Sequence, residues 1–80
     1  PVKSLATLVT DKEAAVRAAA ARSPRLTEAQ LTTLAKDTDA AVRRQVARNW
    51  KVTKELLAQL AVDKHPQVAA AAKEVLKRKR

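Results

Sequence analysis

The chain has 80 residues, enough for one small domain, and its 17 Lys and Arg outnumber 8 Asp and Glu to leave a formal net charge of +9. It contains no Cys and a single His, which excludes a disulfide scaffold and argues against a catalytic triad or a two-histidine metal site. We therefore expect a non-catalytic protein without a metal or other cofactor. No apolar run is long enough to cross a bilayer, so we expect no membrane partner and a cytoplasmic location.

About half of the hydrophobic residues, which make up 46% of the chain, are Ala, and the remainder are Leu, Val and one Trp. Ala buries little area, but it has the highest helix propensity and lets helix backbones approach closely. The absence of Gly argues against tight β-hairpins and against glycine-rich phosphate loops. The composition therefore predicts an all-α fold with a thin core.

Leu spacing and capping residues predict six short helices in chain order, at about 2–9, 13–22, 27–36, 39–48, 53–62 and 65–76 or slightly beyond. Thr27 with Gln30 fits a capping box, and Thr53 is a plausible N-cap. His65 is expected at a helix start rather than in a ligand site. Three aspartates are each expected to end one helix and cap the next, namely Asp11, Asp37 and Asp63.

A shift of 26 residues aligns the chain with itself. Four positions recur in all three copies, and they are Leu5/Leu31/Leu57, Leu8/Leu34/Leu60, Asp11/Asp37/Asp63 and Val16/Val42/Val68. This period predicts a single domain over residues 1–80, built as a short α-solenoid of about three helical-hairpin repeats. The predicted repeats are 5–30, 31–56 and 57–80, the last being a C-terminal cap with a basic tail at 77–80.

The chain carries a recurring motif of Leu, two residues, Leu, then Ala or Val, one residue and Asp. After four further residues come Val-Arg and an Ala-rich helix. This motif resembles a HEAT-type repeat. The short period is especially similar to the leucine-rich repeat variant branch of HEAT-like solenoids. That resemblance implies a binding scaffold and an inter-repeat ladder of hydrogen bonds formed by the loop Asp and the Arg six residues later. Asp11 with Arg17 and Asp37 with Arg43 match this pattern. Asp63 has Ala69 at the Arg position, so the last unit can receive a bond from a neighbour but offers no Arg onward.

Charge is expected to be polarised across such a stack of hairpins. The turns around the three loop aspartates are mildly acidic, while the opposite edge, where the second helices end, is basic. Arg25, Lys51 and Lys77 lie 26 residues apart and predict a row of cations along this basic edge. We expect nucleic acid, or an acidic protein, to bind through its phosphates or carboxylates to Arg22, Arg25, Arg48, Trp50, Lys51, Lys54, Lys77 and Arg78.

Several alternatives remain open at this point. Cations near helix C-termini are also favoured by the helix dipole, and a basic tail can serve solubility alone. Trp50 is expected either to fold back over the adjacent helix ends or to present an exposed aromatic ring. The chain could also be a protein-interaction adaptor or inhibitor, or a fragment of a longer repeat array. Its apolar N-terminal repeat face, with Leu5 and Leu8, could instead form a homodimer.

Overall fold

The computed structural model describes residues 4–78, which form α-helices joined by turns and contain no β-strand. The helices are α1 (Leu5–Leu8), α2 (Ala14–Ala20), α3 (Glu28–Leu34), α4 (Ala40–Ala47), α5 (Lys54–Ala61) and α6 (Pro66–Arg78). The all-α prediction is therefore confirmed. The predicted ends differ from the observed ones by no more than two residues, except that α1 begins at Leu5, after its N-cap Ser4, whereas the predicted start at residue 2 lies outside the described residues.

Helix starts follow the predicted capping chemistry. The Thr27 hydroxyl accepts a hydrogen bond from the Gln30 amide at 3.1 Å, and the Gln30 side chain accepts one from the Thr27 amide at 2.9 Å. These two bonds complete the capping box at the start of α3. The Thr53 hydroxyl caps α5 by accepting from the Leu56 amide at 3.1 Å. Each bond satisfies a backbone group that the helix itself leaves without a partner.

The prediction that the loop aspartates cap the following helices is wrong in detail. Asp37 Oδ1 accepts from the backbone amide of Asp39 at 2.9 Å, and Asp39 is the N-cap of α4, accepting from the Ala41 amide at 2.8 Å. Asp63 binds the His65 amide in the same way, and His65 Nδ1 then accepts from the Gln67 amide. Asp37 and Asp63 thus each lie two residues before the cap residue and hold it in place by accepting from its backbone amide. Their carboxylates also accept hydrogen bonds from Arg17 and Arg43, respectively.

The second helix of each pair forms the centre of the molecule. α4 packs against both α2 and α6, and α6 also packs against α5. Small residues allow these close approaches, since Ala21, Ala47 and Ala72 are fully buried. The larger core side chains come from the helices and from the loops between them, and they are Leu26, Leu31, Leu34, Val42, Val46, Val52, Leu56, Leu57, Leu60 and Val68. The resulting molecule measures 40 × 23 × 15 Å.

The longest helix in residues 4–78 is α6, with 13 residues. None of the described helices combines the length and apolar character that crossing a membrane requires.

Candidate basic groove

An open groove of about 610 Å³ runs between the ends of α2, α4 and α6. We call it the basic groove, and its lining residues are Arg22, Arg44, Arg48, Gln67, Ala70, Ala71, Glu74, Val75 and Arg78. Arg22 follows the end of α2, Arg44 and Arg48 belong to the last turn and C-cap of α4, and the other residues lie on α6. Three helices that are separate in sequence therefore supply one surface.

Positive charge dominates this surface. Arg78 Nη2 donates to Glu74 Oε1 at 3.4 Å, in an exposed pair one turn apart on α6. Among residues 4–78, Arg22, Arg44 and Arg48 form no ion pair. Their position at helix C-termini is electrostatically favourable, because the last backbone carbonyls carry partial negative charge. The groove thus presents three guanidinium groups that a bound anion can engage.

Small side chains on α6 keep the groove open. Ala70 and Ala71 lie opposite the arginines of α4, where a long side chain would fill the space between the two helices. In the 26-residue register, Ala70 occupies the position of Arg44. Because Ala70 has only a methyl group at the position where α4 has the long side chain of Arg44, room remains beside Arg44.

The structure brings three of the eight predicted binding residues into the basic groove, and these are Arg22, Arg48 and Arg78. Sequence reasoning missed Arg44, because its register equivalents are Ala18 and Ala70 and it belongs to no recurring row of cations. A usable signal was present nonetheless. Arg44 lies four residues before Arg48, a spacing that places two side chains on the same face of a helix.

The other predicted binding residues lie outside the groove lining. Arg25 and Lys51 are exposed on the loops that follow α2 and α4, and Lys51 Nζ lies 3.5 Å from the backbone oxygen of Leu26. Trp50, on the same loop as Lys51, is 73% exposed, which favours the second of its two predicted orientations. The remaining two, Lys54 in the first turn of α5 and Lys77 in the last turn of α6, are exposed. The predicted tail residues 79–80 lie outside the described residues.

Two arginines, Arg17 and Arg43, are not groove-lining residues and instead bond to aspartates twenty residues later in the chain. Arg17 Nε donates to Asp37 Oδ2 at 2.7 Å and its Nη2 to Oδ1 at 3.1 Å, while its Nη1 donates to the backbone oxygen of Asp11 at 2.7 Å. Arg43 makes the same three bonds to Asp63 and to the backbone oxygen of Asp37. All three donor nitrogens are therefore occupied in each arginine, which leaves little capacity for an external ligand.

These contacts change the protonation chemistry of the carboxylates. Hydrogen bonds from Arg43 lower the pKa of Asp63 below its ordinary value, against the opposing effect of burial, and the His65 amide adds to the lowering. For Asp37, burial opposes ionisation, but the hydrogen bonds from Arg17 and from the Asp39 amide outweigh it and lower the pKa. Both carboxylates therefore stay ionised under conditions in which a free aspartate begins to take up protons.

Asn49 is a second residue that sequence reasoning missed. Its side chain is 2% exposed, and Nδ2 donates to the backbone oxygens of Ala21 at 2.8 Å and Ser23 at 2.9 Å. Its Oδ1 accepts from the Lys51 amide at 2.9 Å. One buried amide thus ties the loop after α2 to the loop after α4, the two loops that carry Arg25 and Lys51.

Within residues 4–78, no group of three or more His, Cys, Asp or Glu side chains is arranged to hold a metal ion. No protein-family model, curated protein or solved structure matches the chain.

Proposed function

We propose that the chain is a short HEAT-like α-solenoid of three 26-residue hairpin units, and that it binds nucleic acid through the phosphate backbone without reading sequence. The observation that carries this proposal is the set of three guanidinium groups, from Arg22, Arg44 and Arg48, that share one open groove and have no carboxylate partner within residues 4–78. The recurrence of the Arg17–Asp37 bond as Arg43–Asp63, 26 residues later, supports the repeat architecture.

Arginine suits a phosphate ligand because its planar guanidinium can donate two parallel hydrogen bonds to phosphate oxygens. The groove offers such donors from Arg22, Arg44 and Arg48, and several donors on one surface suit a polymer of phosphates better than a single small anion. Its openness fits a long ligand as well, since a strand can enter and leave without being enclosed. Binding of this kind derives most of its free energy from the release of counterions.

The composition of the groove argues against sequence reading. Its only polar uncharged side chain is Gln67, and the single aromatic residue of the chain, Trp50, lies outside the lining. Recognition of bases needs hydrogen-bonding groups aimed at base edges or several aromatic rings for stacking. Glu74 is engaged with Arg78, so a general-acid or general-base role is not part of the proposal. The proposed activity is therefore binding alone.

Titration of a fluorescent random-sequence duplex at several salt concentrations tests this function. If three or four phosphates are contacted, the logarithm of the binding constant should fall against the logarithm of salt with a slope of roughly −3 to −4. Arg44→Ala and Arg48→Ala should each reduce the slope by about 1 and weaken binding. Absence of binding at about 50 mM salt would defeat the proposal, because electrostatic affinity is strongest there.

Arg25→Ala and Lys51→Ala serve as matched controls, since each removes one exposed positive charge outside the groove. We expect these loop variants to weaken binding less than the groove variants do. If the loop variants and the groove variants weaken binding equally, either the duplex contacts the whole basic edge or its affinity depends on net charge alone. An acidic polypeptide that competes at lower concentration than the duplex would favour the adaptor or inhibitor function instead.

A further inference from the structure

Trp50 is the single aromatic residue of the chain, and it lies two residues after Arg48, which lines the basic groove. The contacts that Trp50 makes within the chain leave 73% of the residue exposed to solvent. An indole with so much open surface can stack on a planar ligand. The position next to a groove-lining arginine connects this ring with the site that we propose for phosphates.

The turn that carries Trp50 is fixed on both sides. Asn49 precedes the ring and Val52 follows it at a distance of two residues, and both are buried. The Val52 amide donates to the Asn49 backbone oxygen at 3.0 Å, and the Lys51 amide donates to Asn49 Oδ1 at 2.9 Å. The side chain of Asn49 also bonds to the loop after α2. An ordered turn therefore presents the ring, so a ligand that contacts it need not first order the backbone.

The charge near the ring indicates which planar ligand fits it. Each nucleotide of a single strand carries a planar base next to an anionic phosphate, and Trp50 follows an arginine whose guanidinium suits phosphate. An acidic side chain of a protein matches the positive charge but offers no flat face to the ring. In a duplex, neighbouring base pairs cover the faces of each base, so an aromatic side chain reaches a base face only where pairing and stacking are interrupted.

We propose that the protein prefers nucleic acid with an unpaired segment, one base of which stacks on Trp50 while the adjoining phosphates bind Arg48 and the basic groove. This inference rests on the nucleic-acid binding proposed above and names the class of strand that the groove receives. Stacking on a single ring holds a base without identifying it, because every base has a flat π-face. Binding therefore remains independent of sequence, in agreement with the composition of the groove.

Intrinsic fluorescence tests the stacked base, because all tryptophan emission of the chain comes from Trp50. Titration with a thymidine oligonucleotide at about 50 mM salt should quench this emission. The matched ligand is an abasic strand of the same length, which carries the same phosphates without bases. It should bind through the groove and leave the emission nearly unchanged. Equal quenching by both strands would overturn the proposal, because the ring would then respond to bound charge alone.

Two substitutions of Trp50 separate stacking from apolar contact. Trp50→Leu keeps an apolar side chain without a π-face, and we expect it to bind the thymidine strand roughly five- to a hundredfold more weakly. Trp50→Phe keeps a smaller ring and should lose less. Both variants should bind the abasic strand within about twofold of the original chain, and their urea midpoints should show that they remain folded. Val62→Ala is the matched control, since Val62 is also a large, exposed hydrophobic residue and lies outside the groove lining.

The outcomes distinguish this inference from the proposed function. If Trp50→Leu binds the thymidine strand as tightly as the original chain does, and both retain the salt dependence of phosphate binding, the stacked base is ruled out and the proposed function stands. If neither the strands nor the duplex bind at about 50 mM salt, both proposals fail. If poly-glutamate quenches Trp50 as strongly as the thymidine strand does, the ring belongs to an interface with an acidic protein, and the inference is wrong.

Discussion

Arg43 is bonded on one side to the carboxylate of Asp63, twenty residues later, and on the other to the backbone oxygen of Asp37, six residues earlier. The side chains of Arg43 and Asp63 are 10% and 11% exposed. Its Nε and Nη2 donate to the carboxylate at 2.8 and 3.2 Å, and Nη1 donates to the carbonyl at 2.7 Å. A single guanidinium thus connects the loop before α4 with the loop before α6.

Replacement of Arg43 should therefore reduce stability more than it reduces binding. Arg43→Ala leaves the Asp63 carboxylate without its bidentate donor, and we expect a loss of about 2 kcal/mol in the free energy of unfolding. Urea denaturation followed by circular dichroism measures this loss. Duplex affinity, measured below the unfolding transition, should change little.

The neighbouring residue provides the matched control. Arg44 lies on the same helix, forms no ion pair among the described residues and lines the basic groove. Arg44→Ala should leave the free energy of unfolding within about 0.5 kcal/mol of that of the original chain and weaken duplex binding instead. If Arg43→Ala weakens duplex binding without lowering the free energy of unfolding, the assignment of Arg43 as structural and Arg44 as a binding residue is wrong.

Acid should weaken the fold through Asp37 and Asp63. Both carboxyl groups have a pKa below the ordinary value near 3.8, so at acidic pH the unfolded chain binds more protons than the folded chain. The stability that these carboxylates contribute is therefore present above about pH 5 and is lost as the pH falls through their lowered pKa values. Urea midpoints measured from pH 7 to pH 3 should decline accordingly.

Asp63→Asn isolates one of these carboxylates. The variant should be less stable than the original chain at pH 7, because the amide cannot form an ion pair with Arg43. The difference between the two proteins should shrink as the pH falls, since the original carboxyl group also becomes neutral. Parallel curves from pH 7 to pH 3 would show that ionisation of Asp63 does not contribute to stability.

The helices could be predicted from the sequence because their determinants are local. Thr27 and Thr53 cap helices through atoms only three residues away, and both were identified from their spacing. The bonds of Arg17 and Arg43 came from a recurring motif and the family resemblance, although they span twenty residues. Recurrence thus makes a distant contact visible in a sequence.

The roles of Arg44 and Asn49 could not be predicted from recurrence. Neither recurs at the 26-residue period, since the equivalents of Asn49 are Ser23 and Val75. The exposure of a groove beside Arg44 depends on how closely α4 and α6 approach, and the burial of Asn49 depends on where the loop after α2 passes. These are three-dimensional distances that no local pattern encodes.

The buried amide of Asn49 should be sensitive to charge. Asn49→Asp keeps the shape but points carboxylate oxygens at the carbonyl oxygens of Ala21 and Ser23, which are 2.8 and 2.9 Å from Nδ2 in the original chain. We expect a loss of at least about 2 kcal/mol at pH 7. Because the introduced carboxyl should have a raised pKa, protonation should restore part of the stability as the pH falls towards 4.

Asn49→Ala is the comparison for this prediction. It removes both donated bonds without adding charge, and its stability relative to the original chain should not improve between pH 7 and pH 4. Urea midpoints for the two variants at each pH provide the measurement. If Asn49→Asp shows no recovery relative to Asn49→Ala, the buried position of this side chain is contradicted.

Glu74 should oppose polyanion binding, because it is the one acidic side chain in the basic groove. Its register equivalents are Arg22 and Arg48, so a carboxylate stands where the other two units place a guanidinium. Glu74→Gln removes the repulsion of phosphate and frees Arg78 from its 3.4 Å contact. We expect roughly two- to fivefold tighter duplex binding at about 0.1 M salt.

Glu55→Gln changes the net charge by the same amount at an exposed position in the first turn of α5, outside the groove lining. Its effect on affinity should be smaller than that of Glu74→Gln, because Glu55 does not line the groove and salt screens its interaction with phosphates bound there. Fluorescence anisotropy with one duplex and one buffer compares the two directly. Equal gains from both variants would mean that net charge, rather than the groove between α4 and α6, determines polyanion affinity.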